Sequence, residues 1–69
     1  MNIYAKEGAK VRYLGKNGYD SDRTRIEALG IRAGDILTVH FTHVYSSSTT
    51  VYFREIDDGH NSVMFEDVE

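Results

Sequence analysis

The sequence predicts a mainly β protein: a small SH3-like β-barrel or curved antiparallel sheet with one short helix. Apolar residues recur with period two in four or five short runs, only one segment carries helical spacing, and Gly-, Asn- and Asp-bearing turns separate the runs. At 69 residues the expectation is a single domain spanning 1–69. A barrel or curved sheet also deals with the exposed strand edges that a small flat sheet would present.

The first run, AKVRYLG, alternates Val11 and Tyr13 against Lys10 and Arg12, the pattern of a half-buried strand. GKNGYDSD then reads as a loop in which Asn17-Gly18 favours positive φ. SDRTRIEALG predicts a helix of about two turns, with Ser21 or Asp22 as N-cap, Ile26 and Leu29 on one face, and Gly30 as the stop. A helix this short needs a surface to pack on.

A turn at Ala33-Gly34-Asp35 leads into the longest strand, about Ile36 to Tyr45, with Leu37, Val39, Phe41 and Tyr45 on one face and Thr38, His40 and Thr42 opposite. The next strand runs from about Thr50 to Ile56. Asp57-Asp58-Gly59 forms a turn, and a short last strand puts Val63 and Phe65 inward. Two hairpin registers are open. A two-residue loop at Ser48-Thr49 sets Tyr45 opposite Tyr52; a three-residue loop from Ser48 to Thr50 sets Tyr45 opposite Phe53. The second keeps Val39, Phe41, Tyr45, Val51 and Phe53 on one face and is favoured; Tyr52 then points away from the core beside Ser46.

Composition narrows the chemistry. There are no cysteines, so neither disulfides nor thiolate metal sites are available, and a core this small supplies only about 3–5 kcal/mol unaided. Self-association is therefore the expected source of extra stability. A metal is not expected, because His40 and His43 lie three apart on a strand and face opposite ways unless a bulge intervenes. No apolar run approaches the roughly 20 residues of a membrane span, and no signal core opens the chain, so a cytoplasmic location is expected. The net charge of −3 disfavours a general nucleic-acid binder.

Charge is unevenly placed: Lys6, Lys10, Arg12, Lys16, Arg23 and Arg25 lie in the first 25 residues, while residues 55–69 carry six acids and no Lys or Arg. Either these are two solvated faces, or the basic group meets an anion. The loop Gly15–Gly18 before a helix N-terminus, with Lys16, Arg23 and Arg25 near it, has the chemistry of an anion site; a plain turn with surface charges explains it equally simply. Nothing supplies a nucleophile elbow or the framework of a triad around Ser46, Ser47, Ser48 and His43, so no enzyme and no cofactor are expected. Tyr19, in a polar loop, is placed to stack on a base or anchor an interface.

The stretches VRYLGKNGYD, GDILTV, VYSSSTTVYFRE and NSVMFEDVE, in this order and spacing, resemble a set of small proteins of Firmicutes bacteria and their phages. The likeness covers about Val11 to Glu66 and departs at His60, where an aromatic residue is expected. Phage proteins of this kind include anti-CBASS sponges, non-enzymatic oligomers that sequester cyclic nucleotide immune signals. What the resemblance implies is a homo-oligomer holding an anionic small molecule, such as a cyclic nucleotide. Lys16, Arg23 and Arg25 would meet its phosphates and Tyr19 or Tyr45 its base; Ser46, Ser47, Ser48 and Thr49 would donate hydrogen bonds, and Asn17 or Asn61 would read a base edge. Two further readings stand beside it: a protein-interaction module that inhibits a host polymerase or defence nuclease, and an SH3-like nucleic-acid contact module.

Overall fold

The computed structural model describes residues 1–68. Five strands follow one another with a helix after the first: β1 (Lys10–Tyr13), α1 (Asp20–Ala28), β2 (Ile36–Val44), β3 (Thr49–Phe53), β4 (Gly59–Asn61) and β5 (Phe65–Asp67). A 3-10 turn at Ser62–Met64 joins the last two. All pairings are antiparallel, in the spatial order β4-β3-β2-β1-β5. β4 and β5 end the sheet on opposite sides and do not pair, so of the two expected forms this is the curved sheet, not a closed barrel.

β2 serves two neighbours. Its first residues pair with β1, and those from Val39 on pair with β3. Between the pairs Val39↔Phe53 and Phe41↔Tyr52 the register shifts, leaving His40 as an extra residue. Such a bulge bends the strand and reverses which side each later residue faces. Val39 is fully buried, yet Phe41 is 47% exposed and stacks on Tyr52 on the outer side, with ring centroids 4.4 Å apart. Thr42 now faces inward opposite buried Val51 and donates from Oγ1 to the Ile3 carbonyl at 2.9 Å.

This overturns the favoured hairpin register and the inward placement of Phe41 and Tyr45. Val44 pairs with Thr49, and the loop is four residues, Tyr45 to Ser48, closed by Tyr45 N–H donating to the Ser48 carbonyl at 2.8 Å. Tyr45 is half exposed, its ring parallel to that of His43 at 4.3 Å. Tyr52 does point away from the core, but its neighbours are Phe41 and the bare Cα of Gly59. A Cβ on Gly59 would lie 2.6 Å from the Tyr52 ring, so glycine is what lets the ring lie across β4.

The core is Val11, Tyr13, Ile26, Leu37, Val39, Val51, Phe53, Met64 and Phe65. Phe65 on β5 touches both Tyr13 on β1 (5.7 Å between centroids) and Phe53 on β3 (4.8 Å), joining β5 to β3 across the curved sheet. Val63 is exposed and Met64 takes the buried place, because the 3-10 turn breaks the alternation assumed through this segment. Leu29 is likewise exposed, so Ile26 alone anchors α1 to the core. The helix begins one or two residues before the expected caps. Tyr19 occupies the N-cap without a side-chain bond, and Asp20 and Asp22 fall in the first turn, where the helix dipole favours negative charge. Thr38, expected outward, is buried: its N–H donates to Glu55 Oε1 at 2.8 Å and its Oγ1 accepts from Lys10 Nζ. Burial works to raise the Glu55 carboxyl, but the hydrogen bonds from Thr38 outweigh it and leave the pKa lowered.

Both outer strands are covered. On β4, Arg25 Nη2 donates to the Gly59 carbonyl (2.9 Å) and Asp22 Oδ2 accepts from Asn61 N–H (3.3 Å), which occupies edge groups that face no further strand. On β5, the Met1 amino group donates to the Phe65 carbonyl (3.2 Å), and Asp67 accepts the Asn2 N–H through both carboxylate oxygens (3.2 Å each).

Candidate functional site

The loop before α1 is shaped by two consecutive residues with positive φ, Asn17 (+70°) and Gly18 (+67°), as the Asn-Gly pair predicts. The turn brings both carbonyls to Arg23, whose Nη1 donates to Asn17 O and Gly18 O (3.0 Å to the latter) while Nη2 pairs with Asp20. Arg25 is committed just as fully. It pairs with Asp22 at 2.8 Å and Asp58 at 2.9 Å, donates to Gly59, and approaches His60 Nδ1 at 3.4 Å. Asp20 and Asp22 place two carboxylates in the first turn of the helix, where an incoming anion would meet their charge. The guanidinium groups expected to meet phosphates thus hold the loop and the β4 edge. Lys16 and Tyr19 remain exposed, Tyr19 at 78%.

His60, marked in sequence only as a departure from a resemblance, is the centre of that cluster. Its side chain is fully buried, with Nδ1 2.8 Å from Asp22 Oδ1. Nε2 has no hydrogen-bond partner among the described residues and lies 3.7 Å from Asp58 Oδ2. An aromatic ring here would fill the space but could not bond Asp22.

The other half of the expected site does assemble. Tyr45, Ser46, Ser47, Ser48 and Thr49 line one open cavity of about 350 Å³ together with Asn61, brought from β4. Ile3, Val44, Ser62 and Val63 complete the lining, and no charged side chain is among them. No side chain from Tyr45 to Thr49 makes a hydrogen bond to a described residue, so their hydroxyls are available. Asn61 Oδ1 caps the 3-10 turn by accepting Val63 N–H at 3.1 Å, leaving its amide NH₂ uncommitted. Asn17 Nδ2 donates to the Val63 carbonyl at 3.3 Å, so the Lys16–Asn17 loop abuts the cavity wall. His43 stacks on Tyr45 and makes no hydrogen bond to the neighbouring serines.

A second open cavity, of about 380 Å³, lies across the N-terminal segment and is lined by Asn2, Tyr4, Ala5, Lys6, Ala9, Lys10, Asp67 and Val68. Nothing in the hydropathy pattern marked it. The available signal was an aromatic residue beside two lysines in a stretch with neither helical nor strand periodicity. Among the described residues, no helix is long and apolar enough to cross a membrane.

A family profile described as Bacteriophage T4 protein Y07B matches residues 2–69, essentially the whole chain, and the chain belongs to that family of phage proteins. The match supports the phage part of the resemblance; its description names no ligand, partner or activity. No curated protein and no solved structure matches the chain significantly.

Proposed function

We propose that this phage protein is a non-enzymatic binding module that works as a homo-oligomer, sequestering a nucleotide-type host signal of the cyclic nucleotide class. The observation that supports it is the hairpin-tip cavity. There five consecutive polar residues and Asn61 meet around one opening, with the Tyr, Ser and Thr hydroxyls and the Asn61 amide NH₂ unspent toward described residues. Uncharged hydroxyl and amide donors suit the sugar and base edge of a nucleotide, and the exposed Tyr45 ring offers a stacking face. Phosphate contacts fall to Lys16, beside the Asn17 that touches the cavity wall, and to a second copy, because Arg23 and Arg25 are engaged internally. A ligand held this way is withdrawn from solution, not transformed.

The experiment is a thermal-shift titration with a panel of cyclic di- and trinucleotides, with native mass spectrometry on the same samples. Ligand at a hundredfold its dissociation constant should raise Tm by about 15–20 °C in a domain of this size. An unmoved Tm at ligand far above micromolar rejects the reading.

A second reading has its own observation. Phe41, Tyr52, His43 and Tyr45 form two stacked pairs on the outer side of β2 and β3, an aromatic surface suited to a protein partner. It predicts no response to small molecules and one stoichiometric host protein retained from lysate.

A further inference from the structure

From the cavity over the N-terminal segment, we propose a second binding site, for a small anion that carries a planar ring, a ligand of the nucleoside monophosphate class. The site does not depend on the hairpin-tip cavity. The segment Met1–Ala5 separates the two openings, with Ile3 facing the hairpin tip and Asn2, Tyr4 and Ala5 facing this side.

Tyr4 is the first element. Asn2 Oδ1 accepts the Tyr4 N–H at 2.9 Å and Asn2 O accepts the Ala5 N–H at 3.1 Å, so the backbone that carries the ring is fixed in a turn. The ring itself is 73% exposed and stacks on no other aromatic side chain of the described residues. A large apolar ring held out on a rigid turn contributes little to the core and presents a whole π-face to the opening.

Charge is the second element. Lys6 is exposed and has no ion pair with a described residue. Lys10 Nζ donates one hydrogen bond to Thr38 Oγ1, which fixes its direction and leaves two of the three ammonium donors. Asp67, the only acid among the described lining residues, has both oxygens turned to the Asn2 N–H. Among the described lining residues two lysines stand against one carboxylate; the Lys10 charge is shared with Glu55, so Lys6 is the lysine left for an anion. The floor is Ala5, Ala9 and Val68, small apolar groups that leave room at the volume scale of small-ligand pockets. Stacking on Tyr4, ammonium contacts to phosphate oxygens and an uncharged floor under the sugar match one chemistry, and neither a plain anion nor a neutral ring uses all three.

The test is an amide-resolved NMR titration of the full chain with adenosine monophosphate, inorganic phosphate and adenosine in separate arms. Adenosine monophosphate should give saturable shifts at Tyr4, Ala5, Lys6, Ala9, Lys10 and Val68, with at least tenfold higher affinity than either fragment. Lys6→Gln and Tyr4→Ala change exposed side chains, so the fold is retained, and each should weaken binding about tenfold. The proposal is overturned if adenosine monophosphate gives no saturable shift at millimolar concentration. It is also overturned if the shifts map only to Tyr45–Thr49 and Asn61, or if phosphate alone binds as tightly. Since the two cavities report on different amides, failure here and failure of the hairpin-tip site are separately visible.

Discussion

The helix–β4 corner and the hairpin tip are both rich in polar side chains, yet they use them in opposite ways. At the corner, Asp22, Arg25, Asp58 and His60 bond one another and the β4 backbone around a buried imidazole. At the tip, the side chains of Ser46, Ser47, Ser48 and Tyr45 make no hydrogen bond to a described residue. Polar chemistry that is spent internally stabilises the fold; polar chemistry left open is what a ligand can recruit. Residue type alone does not separate the two, because arginine at one place and serine at the other look equally functional in a sequence.

The contrast is most easily broken at the corner. Asp22→Ala removes the acceptor of His60 Nδ1, one partner of Arg25 and the acceptor of Asn61 N–H together. Buried groups left without partners make a loss of about 3 kcal/mol the expected outcome in urea unfolding. A loss under about 0.5 kcal/mol would mean that the corner is as uncommitted as the tip.

A smaller effect comes from Tyr13, which donates from its hydroxyl to Glu27 Oε2 at 2.7 Å and so ties β1 to the helix. Tyr13→Phe should cost about 1 kcal/mol. Burial, then the hydrogen bond and charge of Glu27, push the Tyr13 pKa up to about 12. A folded pKa above the unfolded value of 10.0 gives stability that is whole below pH 10 and lost as pH rises toward 12. The wild type should therefore lose more stability than Tyr13→Phe across that window, as followed by circular dichroism. Equal slopes would remove Tyr13 from the set of spent groups.

The smallest change in stability is expected at the tip. Replacing Ser46, Ser47 and Ser48 together by alanine should alter unfolding free energy by no more than about 0.5 kcal/mol, because no structural bond is lost. If the proposed function holds, binding of a nucleotide-type ligand should nonetheless disappear. A destabilisation on the scale of Asp22→Ala would show the tip to be structural after all.

Much of the fold is legible where alternation is local and uninterrupted. Val11 and Tyr13 in β1, Val51 and Phe53 in β3, the Asn17-Gly18 turn and the end of the helix before Gly30 all follow from residue pattern. The phase of β2 beyond Val39 is not legible, since one bulged residue at His40 exchanges the two faces while the apolar spacing of Val39 and Phe41 stays the same. Val63 is misplaced for a similar reason: three residues of 3-10 turn bury Met64 in its stead. Within the candidate site, the hydroxyl tract is visible because it exceeds what a turn needs. The i,i+3 pairs Asp20–Arg23 and Asp22–Arg25 can be read from spacing, but the turn carbonyls that bind Arg23 and the Asp58, Gly59 and His60 that surround Arg25 depend on loop shape and tertiary contact.

The covered margins of the sheet decide how copies of this chain can meet. Arg25 and Asp22 occupy the free side of β4, and Met1 and Asn2 that of β5. A peptide or a second copy seeking to extend the sheet would first have to displace those groups. Open-ended growth by strand addition is therefore disfavoured, which leaves the faces and tips as the surfaces for any contact between copies. Under the proposed sequestering function, such a bound on assembly would keep the sites countable and accessible at high abundance.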